Sequence, residues 1–374
     1  MRVVFIRSNP VNPDSRVEKE VVALLKSGKE VQVLAWDRDN DYRIRKEKKT
    51  SQGIQFDIWR VGIKSVYGGG MKRNFIPLLK FQIEIAKWLV VHRNEYDVIH
   101  ACDFDTAYVS RKVVSILGKK LVYDIFDYYA DSFKVPNKIK GFIIKADKRN
   151  IEKADAVILC TEKRIDQIVG RPRKLCIIHN SPFEIEQSSD VKIVGHRMKA
   201  VYVGILSEER MIIELMNVVS RNKDTMELHI AGFGQLENQV VEMAKSHDNI
   251  MFYGRIDYDK TLDLENQCDI MTAIYSPDNR NHFFAAPNKF YEALMLGKPV
   301  IMVEGTGMSE VVLQNGIGCV IEYTEKALEE ALTNLYTHKD AWSEISDKGI
   351  ELYKNDYAWK KMEERLVALY ATIE

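Results

Sequence analysis

Short apolar runs alternate along this chain with longer segments whose apolar positions recur every three to four residues. In the first half the runs at residues 3–6, 31–35, 98–100, 121–123 and 156–159 read as buried strands. The pattern restarts with runs at residues 200–203, 227–231, 250–253, 270–275, 300–303 and 319–321. Alternation of this kind predicts parallel sheets with helical crossovers. The stretch at residues 76–93 is strongly apolar at helical spacing, which suits a helix packed on a sheet. Residues 181–199 are polar and irregular and mark a linker. The expected class is α/β, as two doubly wound Rossmann-like domains facing a cleft, over 1–180 and 200–355. The tail at 356–374 reads as an amphipathic helix with Trp359, Met362, Leu366 and Leu369 on one face.

Composition narrows the class. The 374 residues are 46% hydrophobic and 29% charged, as in a soluble globular protein, and no window approaches the roughly 18 uninterrupted apolar residues of a membrane span. Met1 leads almost directly into the first apolar run without a signal-peptide pattern. Cys102, Cys160, Cys176, Cys268 and Cys319 are scattered and form no CxxC pair. They read as buried thiols in a reducing cytoplasm, with neither a disulfide framework nor a structural metal. The zero net charge hides an asymmetry: residues 1–180 hold 35 Lys and Arg against 22 Asp and Glu, and the remainder 19 against 32. A basic first half can draw on an anionic membrane surface, a phosphorylated acceptor or nucleic acid. No zinc finger, RRM signature or basic coiled coil supports nucleic acid.

The densest chemistry lies in AAPNKFYEALMLGKPVI, residues 285–301. Pro287 has a φ suited to a first helical turn, Gly297 stops the helix and Pro299 prevents its continuation. The helix N-terminus then follows a buried strand at the edge where α/β sheets bind ligands, and it favours an anion such as phosphate. Lys289 adds a positive charge, and Glu292 one turn on can hydrogen-bond vicinal hydroxyls of the kind a ribose offers. Diphosphate and ribose together point to a nucleotide-sugar. The plain alternative is a capped helix in a βαβ unit with a surface lysine.

This run resembles the donor-site segment of retaining GT-B glycosyltransferases of family 4, of the bacterial surface-polysaccharide type, in the subgroup reading Pro-Asn-Lys before the helix. The resemblance implies that Glu292 binds the donor ribose and that the backbone amides of Asn288 and Lys289, after Pro287, bind the diphosphate. Many members carry a second glutamate where this chain has Phe284. In VYVGILSEERMIIEL, Gly204 and Arg210 fall on the family's strand–loop–helix, Arg210 matching a diphosphate-binding lysine and Ile205 replacing a usual arginine. Gly232 and Gly234 match a turn, and the segment holding Gly254 and Arg255 matches the one that holds the nucleotide base through its backbone. In the first half, Arg16 in SNPVNPDSRVEKE faces an acceptor phosphate or the donor, or pairs with Glu20 at i,i+4. HACDFDT supplies His100, Asp103 and Asp105 on the acceptor side. Its Asp-x-Asp triplet also fits a metal motif of GT-A enzymes, but such triplets recur by chance here. In YDIFDYYAD, Phe126 stands at a usual histidine and Asp127 is the candidate sugar- or acceptor-facing carboxylate, or a helix cap. The glycine-rich SVYGGGMKRNF, residues 65–75, reads as a mobile acceptor-facing loop, and the basic, apolar segment 133–145 as a membrane-interface surface or a core helix.

The resemblance also implies that the tail helix crosses back to the N-terminal domain. The expected activity is retaining, metal-independent sugar transfer from a nucleoside-diphosphate sugar, with no further cofactor, to a saccharide or lipid-linked acceptor in bacterial surface polysaccharide synthesis. Arg210, Lys289 and the helix N-terminus would stabilise the leaving phosphate, with Asp127 opposite. The expected location is cytoplasmic, with peripheral contact to the inner membrane face through the basic N-terminal domain. Two alternatives stay open: a nucleotide-sugar 2-epimerase of similar fold, and a non-catalytic nucleotide-sugar-binding subunit.

Overall fold

The computed structural model describes residues 1–66, 70–132, 135, 137–185 and 197–373. The chain divides into two compact units, Met1–His179 with Lys360–Glu374 and Asn180–Trp359. The expected linker at 181–199 falls largely on residues 186–196, outside the described residues.

The first unit holds strands β1 (Arg2–Arg7), β2 (Glu30–Asp37), β3 (Tyr42–Ser51), β4 (Ile54–Gly62), β5 (Val98–Cys102), β6 (Lys120–Ile125), β7 (Ala156–Leu159) and β8 (Leu175–Ile177). They pair in the order β3-β4-β2-β1-β5-β6-β7-β8, parallel except for β3 against β4. The strand β3, YRIRKEKKTS, is mostly exposed and charged, as befits a sheet edge, and so carries no apolar alternation. It meets β4 through a two-residue turn at Gln52 and Gly53, both at positive φ, the geometry that matches strand twist in a hairpin. The helix Gly70–Val91 packs the apolar stripe Phe81, Ile85 and Leu89 onto the sheet, where Phe81 stacks on Trp36 at 4.8 Å. Asp14 caps the helix Ser15–Lys26 by accepting the Val17 N–H. The tail joins this unit through Tyr370, whose Oη lies 2.9 Å from His100 Nδ1, and through Arg365, which donates to the Ile177 carbonyl.

One buried acid makes the stability of this unit pH-dependent. Asp147, on the helix Asn137–Lys153, accepts the Tyr123 hydroxyl at 2.7 Å, and burial pushes its carboxyl from 3.8 up to about 7. Between those values the folded chain holds a proton that the unfolded chain has lost. Stability therefore falls as pH rises through that window and is flat above it, by about 4 kcal/mol at most. Asp147→Asn is expected to be more stable than the wild type at pH 8 by a margin that shrinks towards pH 4. Urea unfolding of both proteins at several pH values checks this, and a constant margin would refute it.

The second unit holds β9 (Met198–Ile205), β10 (Met226–Phe233), β11 (Ile250–Phe252), β12 (Ile270–Ala273), β13 (Val300–Val303) and β14 (Gly318–Ile321). All are parallel, in the order β11-β10-β9-β12-β13-β14. This is the doubly wound order in which the winding reverses between the first and fourth strands, here β9 and β12. The first sheet reverses likewise between β1 and β5. The α/β class with two doubly wound sheets is thus as expected. In the core of the second unit two helices that pack against each other share one apolar cluster, with Ile212, Leu215 and Val219 on one and Leu328, Leu332 and Leu335 on the other.

Candidate functional site

Ligands of doubly wound sheets bind outside the carboxyl ends of the strands, where the winding reverses. In the second unit that point lies between the ends of β9 and β12. Gly204 sits at the end of β9 with φ +153°, a conformation that suits glycine, and other groups occupy the space a side chain would take. A Cβ built there would lie 2.8 Å from Lys289 Nζ and 3.5 Å from Tyr202 Oη. Lys289 Nζ itself lies 4.8 Å from the Tyr202 ring centroid. Tyr202 is buried and fixed, donating its hydroxyl to the Ile205 carbonyl at 2.7 Å. Arg210 closes the short turn Glu208–Arg210 and lies over the Tyr275 ring, 3.7 Å from its centroid. Two cations from separate segments therefore gather on two tyrosine faces, an arrangement worth about 1 kcal/mol or more for each cation that is desolvated.

The helix Asn288–Leu296 carries the rest. Pro287 is its N-cap residue, one position earlier than the first helical turn to which the sequence assigned it. Asn288 is exposed, Lys289 half-buried and Glu292 buried at 3%. Gly297 ends the helix, its N–H bonding the carbonyls of Ala293 and Leu294. Tyr258 donates its hydroxyl to Glu292 Oε1 at 3.0 Å, and a carboxylate has lone pairs enough to accept ligand hydroxyls as well.

Electrostatics reinforce the cationic character. Burial works against the Lys289 charge, yet Tyr202, Tyr275, Glu292 and Glu265 together hold its ammonium above the ordinary lysine value. Glu265, absent from the sequence expectation, is buried on the helix Tyr258–Asn266 with neither carboxyl oxygen hydrogen-bonded. Burial and the neighbouring Glu292 push its carboxyl well above the usual range, with Lys289 opposing. Tyr258 is raised well above the usual phenol value, first by burial and then by Glu292. Arg255 is exposed after β11 and lies over the exposed Phe233 ring at 4.7 Å. Ile205 is exposed and Phe284 buried.

The first unit corrects part of the expectation. His100 has no exposed surface and stacks on Phe5 at 4.0 Å, with Nε2 3.4 Å from Glu20 and 3.5 Å from Asp124. A fully buried ring cannot face an acceptor. Arg16, also buried, pairs with Glu20 at 3.2 Å and Asp124 at 2.9 Å and donates to the Ile178 carbonyl, so the i,i+4 pairing is the geometry found. Glu20, His100 and Asp124 have a spacing that could hold a metal ion. The Arg16 guanidinium already supplies the positive charge between the two carboxylates, which makes this a buried ion-pair network. Asp103 is a positioning group: its Oδ1 accepts the backbone N–H groups of Phe126 and Asp127 at 3.0 and 3.2 Å, and Oδ2 pairs with Arg7. Burial, opposed by Arg7, lifts its carboxyl to about 6. Arg7 and Arg16 lie over the Phe126 ring at 4.1 and 4.7 Å. Asp127 is half exposed, with Oδ1 held by Arg164 at 2.9 Å. The glycine-rich loop at 65–75 and the segment 133–145 fall in part outside the described residues, at 67–69 and at 133, 134 and 136.

Residues 197–338 match the family model described as Glycosyl transferases group 1. A search of curated protein sequences finds no match. Among solved structures, sucrose-phosphate synthase from Thermosynechococcus elongatus superposes with a TM-score of 0.74 at 15% identity, over 100% of this chain and 99% of its own. HepE from Anabaena, in complex with UDP-glucose, gives 0.71 at 13% identity over 100% of both chains. The UDP-forming α,α-trehalose-phosphate synthase from Burkholderia xenovorans, in complex with glucose-6-phosphate, gives 0.72 at 9% identity over 99% of this chain and 100% of its own. Residues 197–338 of the second unit therefore match a group 1 glycosyl transferase domain, and the chain has the two-sheet GT-B fold of these solved structures.

Proposed function

We propose that the chain is a retaining, metal-independent glycosyltransferase of family 4, which takes its sugar from a nucleoside-diphosphate sugar held by Gly204, Arg210, Arg255, Pro287, Asn288, Lys289 and Glu292. The observation that carries this is the convergence of Arg210 and Lys289 beside Gly204 and Glu292 at the reversal point of the second sheet. A diphosphate needs its charge neutralised, and here two side-chain cations supply what a divalent ion supplies elsewhere. Glu292 takes the ribose hydroxyls. As the bond to the sugar breaks, charge develops on the leaving phosphate and the two cations stabilise it. The acceptor hydroxyl attacks from the face the phosphate leaves, and the departing phosphate takes its proton. No enzyme nucleophile is required. Asp127, half exposed and fixed by Arg164, is the carboxylate we place towards the acceptor.

The acceptor we propose is a saccharide or lipid-linked saccharide of bacterial surface polysaccharide synthesis, reached at the inner face of the cytoplasmic membrane. Support comes from the first unit, where the helix Gly70–Val91 exposes Phe75, Ile76, Leu79 and Ile83 next to Arg73 and Lys80. Phe142 is exposed on the helix Asn137–Lys153, which also bears Lys138 and Lys145. Apolar and basic side chains together suit an anionic lipid interface. Among the described residues no helix is long and apolar enough to cross a membrane.

Thermal unfolding with UDP, GDP, dTDP, ADP and CDP in the presence of EDTA tests the donor site. UDP is the expected responder, by analogy with the UDP-glucose complex of HepE. At about 100 times its Kd a ligand adds roughly 2.7 kcal/mol to stability. Stabilisation that requires a divalent metal would overturn the metal-independent reading. Release of UDP and a rearranged sugar without acceptor would identify an epimerase, and binding without any turnover a partner subunit.

A further inference from the structure

We propose that His282 is a positioning residue for Arg210, holding the guanidinium in place through one tautomer of its neutral ring. The proposal rests on the reading of Arg210 as a ligand of the donor diphosphate. His282 lies in the short turn Arg280–Phe283 and is 5% exposed. Its Nδ1 is 2.8 Å from the Ser276 carbonyl oxygen, which can only accept, so in the neutral ring Nδ1 carries the proton. Nε2 is then a lone pair, and Arg210 Nη1 donates to it at 3.2 Å. The same histidine sets its edge against the Tyr275 ring, at 5.1 Å and 79°, while Arg210 lies across a face of that ring. Arg210 is thus fixed from two sides, by an acceptor and by an aromatic plane. The backbone of the same turn is anchored too, since the Gly307 N–H donates to the His282 carbonyl at 2.8 Å.

The arrangement works only with a neutral ring. The charged and titratable groups near it include Arg210, Tyr275 and Glu209, whose Oε2 is 3.6 Å from Nε2, and Tyr323 beside Glu209 and Arg210, with Asp278 and Arg280 on its own loop. Asn279 Nδ2 lies 3.5 Å from Nε2. A second proton would turn Nε2 into a donor, which repels Arg210 and turns the ring to Glu209. Acidification should therefore loosen Arg210 while its own charge is unchanged, and the diphosphate should bind less well.

The test measures affinity for the tightest of UDP, GDP, dTDP, ADP and CDP between pH 5.5 and 8.5, for the wild type, Arg210→Ala, His282→Leu and His282→Gln. Gln can place an oxygen near the position of Nε2 and cannot be protonated. Losing a hydrogen bond to a charged group is worth about tenfold in affinity. His282→Leu is expected to show that loss at pH 8, and His282→Gln to recover most of it. The wild type should weaken on acidification more than the Gln variant, and this difference removes the nucleotide's own phosphate titration from the comparison. Wild-type affinity and an unchanged pH profile in both His282 variants, with Arg210→Ala impaired, would overturn the positioning role alone. Full affinity in Arg210→Ala, or no binding by any nucleotide, would overturn the donor-site reading and this inference with it.

Discussion

Arg210→Ala and Lys289→Ala are each expected to lower sugar transfer by about 10²-fold while the melting temperature stays within a few degrees of the wild type. The magnitude is that of removing one preorganised group from developing transition-state charge. The direction follows from where the two cations lie. Both sit at the edge of the second sheet against tyrosine faces, and neither is part of the apolar core. Glu292→Ala should behave differently. A ribose contact is made equally in ground and transition states, so its loss raises the donor KM with a smaller change in kcat. The shift is expected to be roughly 10- to 100-fold, the worth of hydrogen bonds to a charged group. Steady-state kinetics on the three variants check both statements. Undiminished turnover in Arg210→Ala and Lys289→Ala would remove the site assignment.

The proposed donor site is legible in the sequence to the extent that its chemistry is contiguous. Residues 285–301 bring a helix start, a lysine and a glutamate into one turn, and the capping residues announce the helix. Tyr202, Tyr275, His282 and Glu265 were not legible, because they converge from three separate segments and are residue types found in any core. A signal did exist for Tyr202: it stands two residues before a glycine at a strand end, where the strand stops being plain core. In the first unit the reverse happened. Arg16, at the start of a helix, and His100, within β5, carry site-like side chains, yet they close a buried network with Glu20, Asp124 and Tyr370. Burial at that depth depends on which elements cover them, including the tail helix some 270 residues away in sequence. The Arg16–Glu20 spacing was the one visible hint of pairing.

The strands were legible where apolar runs are buried on both faces, as in β1, β5, β9 and β13. The hairpin of β3 and β4 escaped for the complementary reason. An edge strand facing water can be charged along its length, and β3 draws its order from β4, with Lys46 and Lys48 both paired to Asp57. A polar strand bonded to one neighbour looks like a loop in any single sequence. Pairing, and not composition, makes it a strand.

Gly232→Ala is expected to cost at least about 3 kcal/mol and to abolish nucleotide binding, although it adds a single methyl group. Gly232 and Gly204 face one another in the register of β10 and β9. Gly232 has φ +149°, where an L side chain is strained, and a Cβ there would fall 1.8 Å from the Gly204 carbonyl oxygen. That neighbour is backbone and cannot swing away as a side chain would. Gly232 is also tied on its other side, its N–H donating to the Gly254 carbonyl at 2.8 Å. Relief therefore requires β9 and β10 to separate at the end that places Gly204 beside Lys289. Gly118→Ala, in the first unit, is the matching control: its φ of +64° is in the left-handed region, but a Cβ there meets nothing within 4 Å. The control should lose only about 1 kcal/mol, the cost of a left-handed residue in open space. Equilibrium unfolding of the two variants, with nucleotide binding measured on each, separates contact from conformation. Equal stabilities would show that the two strands are not held at this distance; a large gap, with binding lost only in Gly232→Ala, would show that the close approach of two glycines is what keeps the cationic end of the site in place.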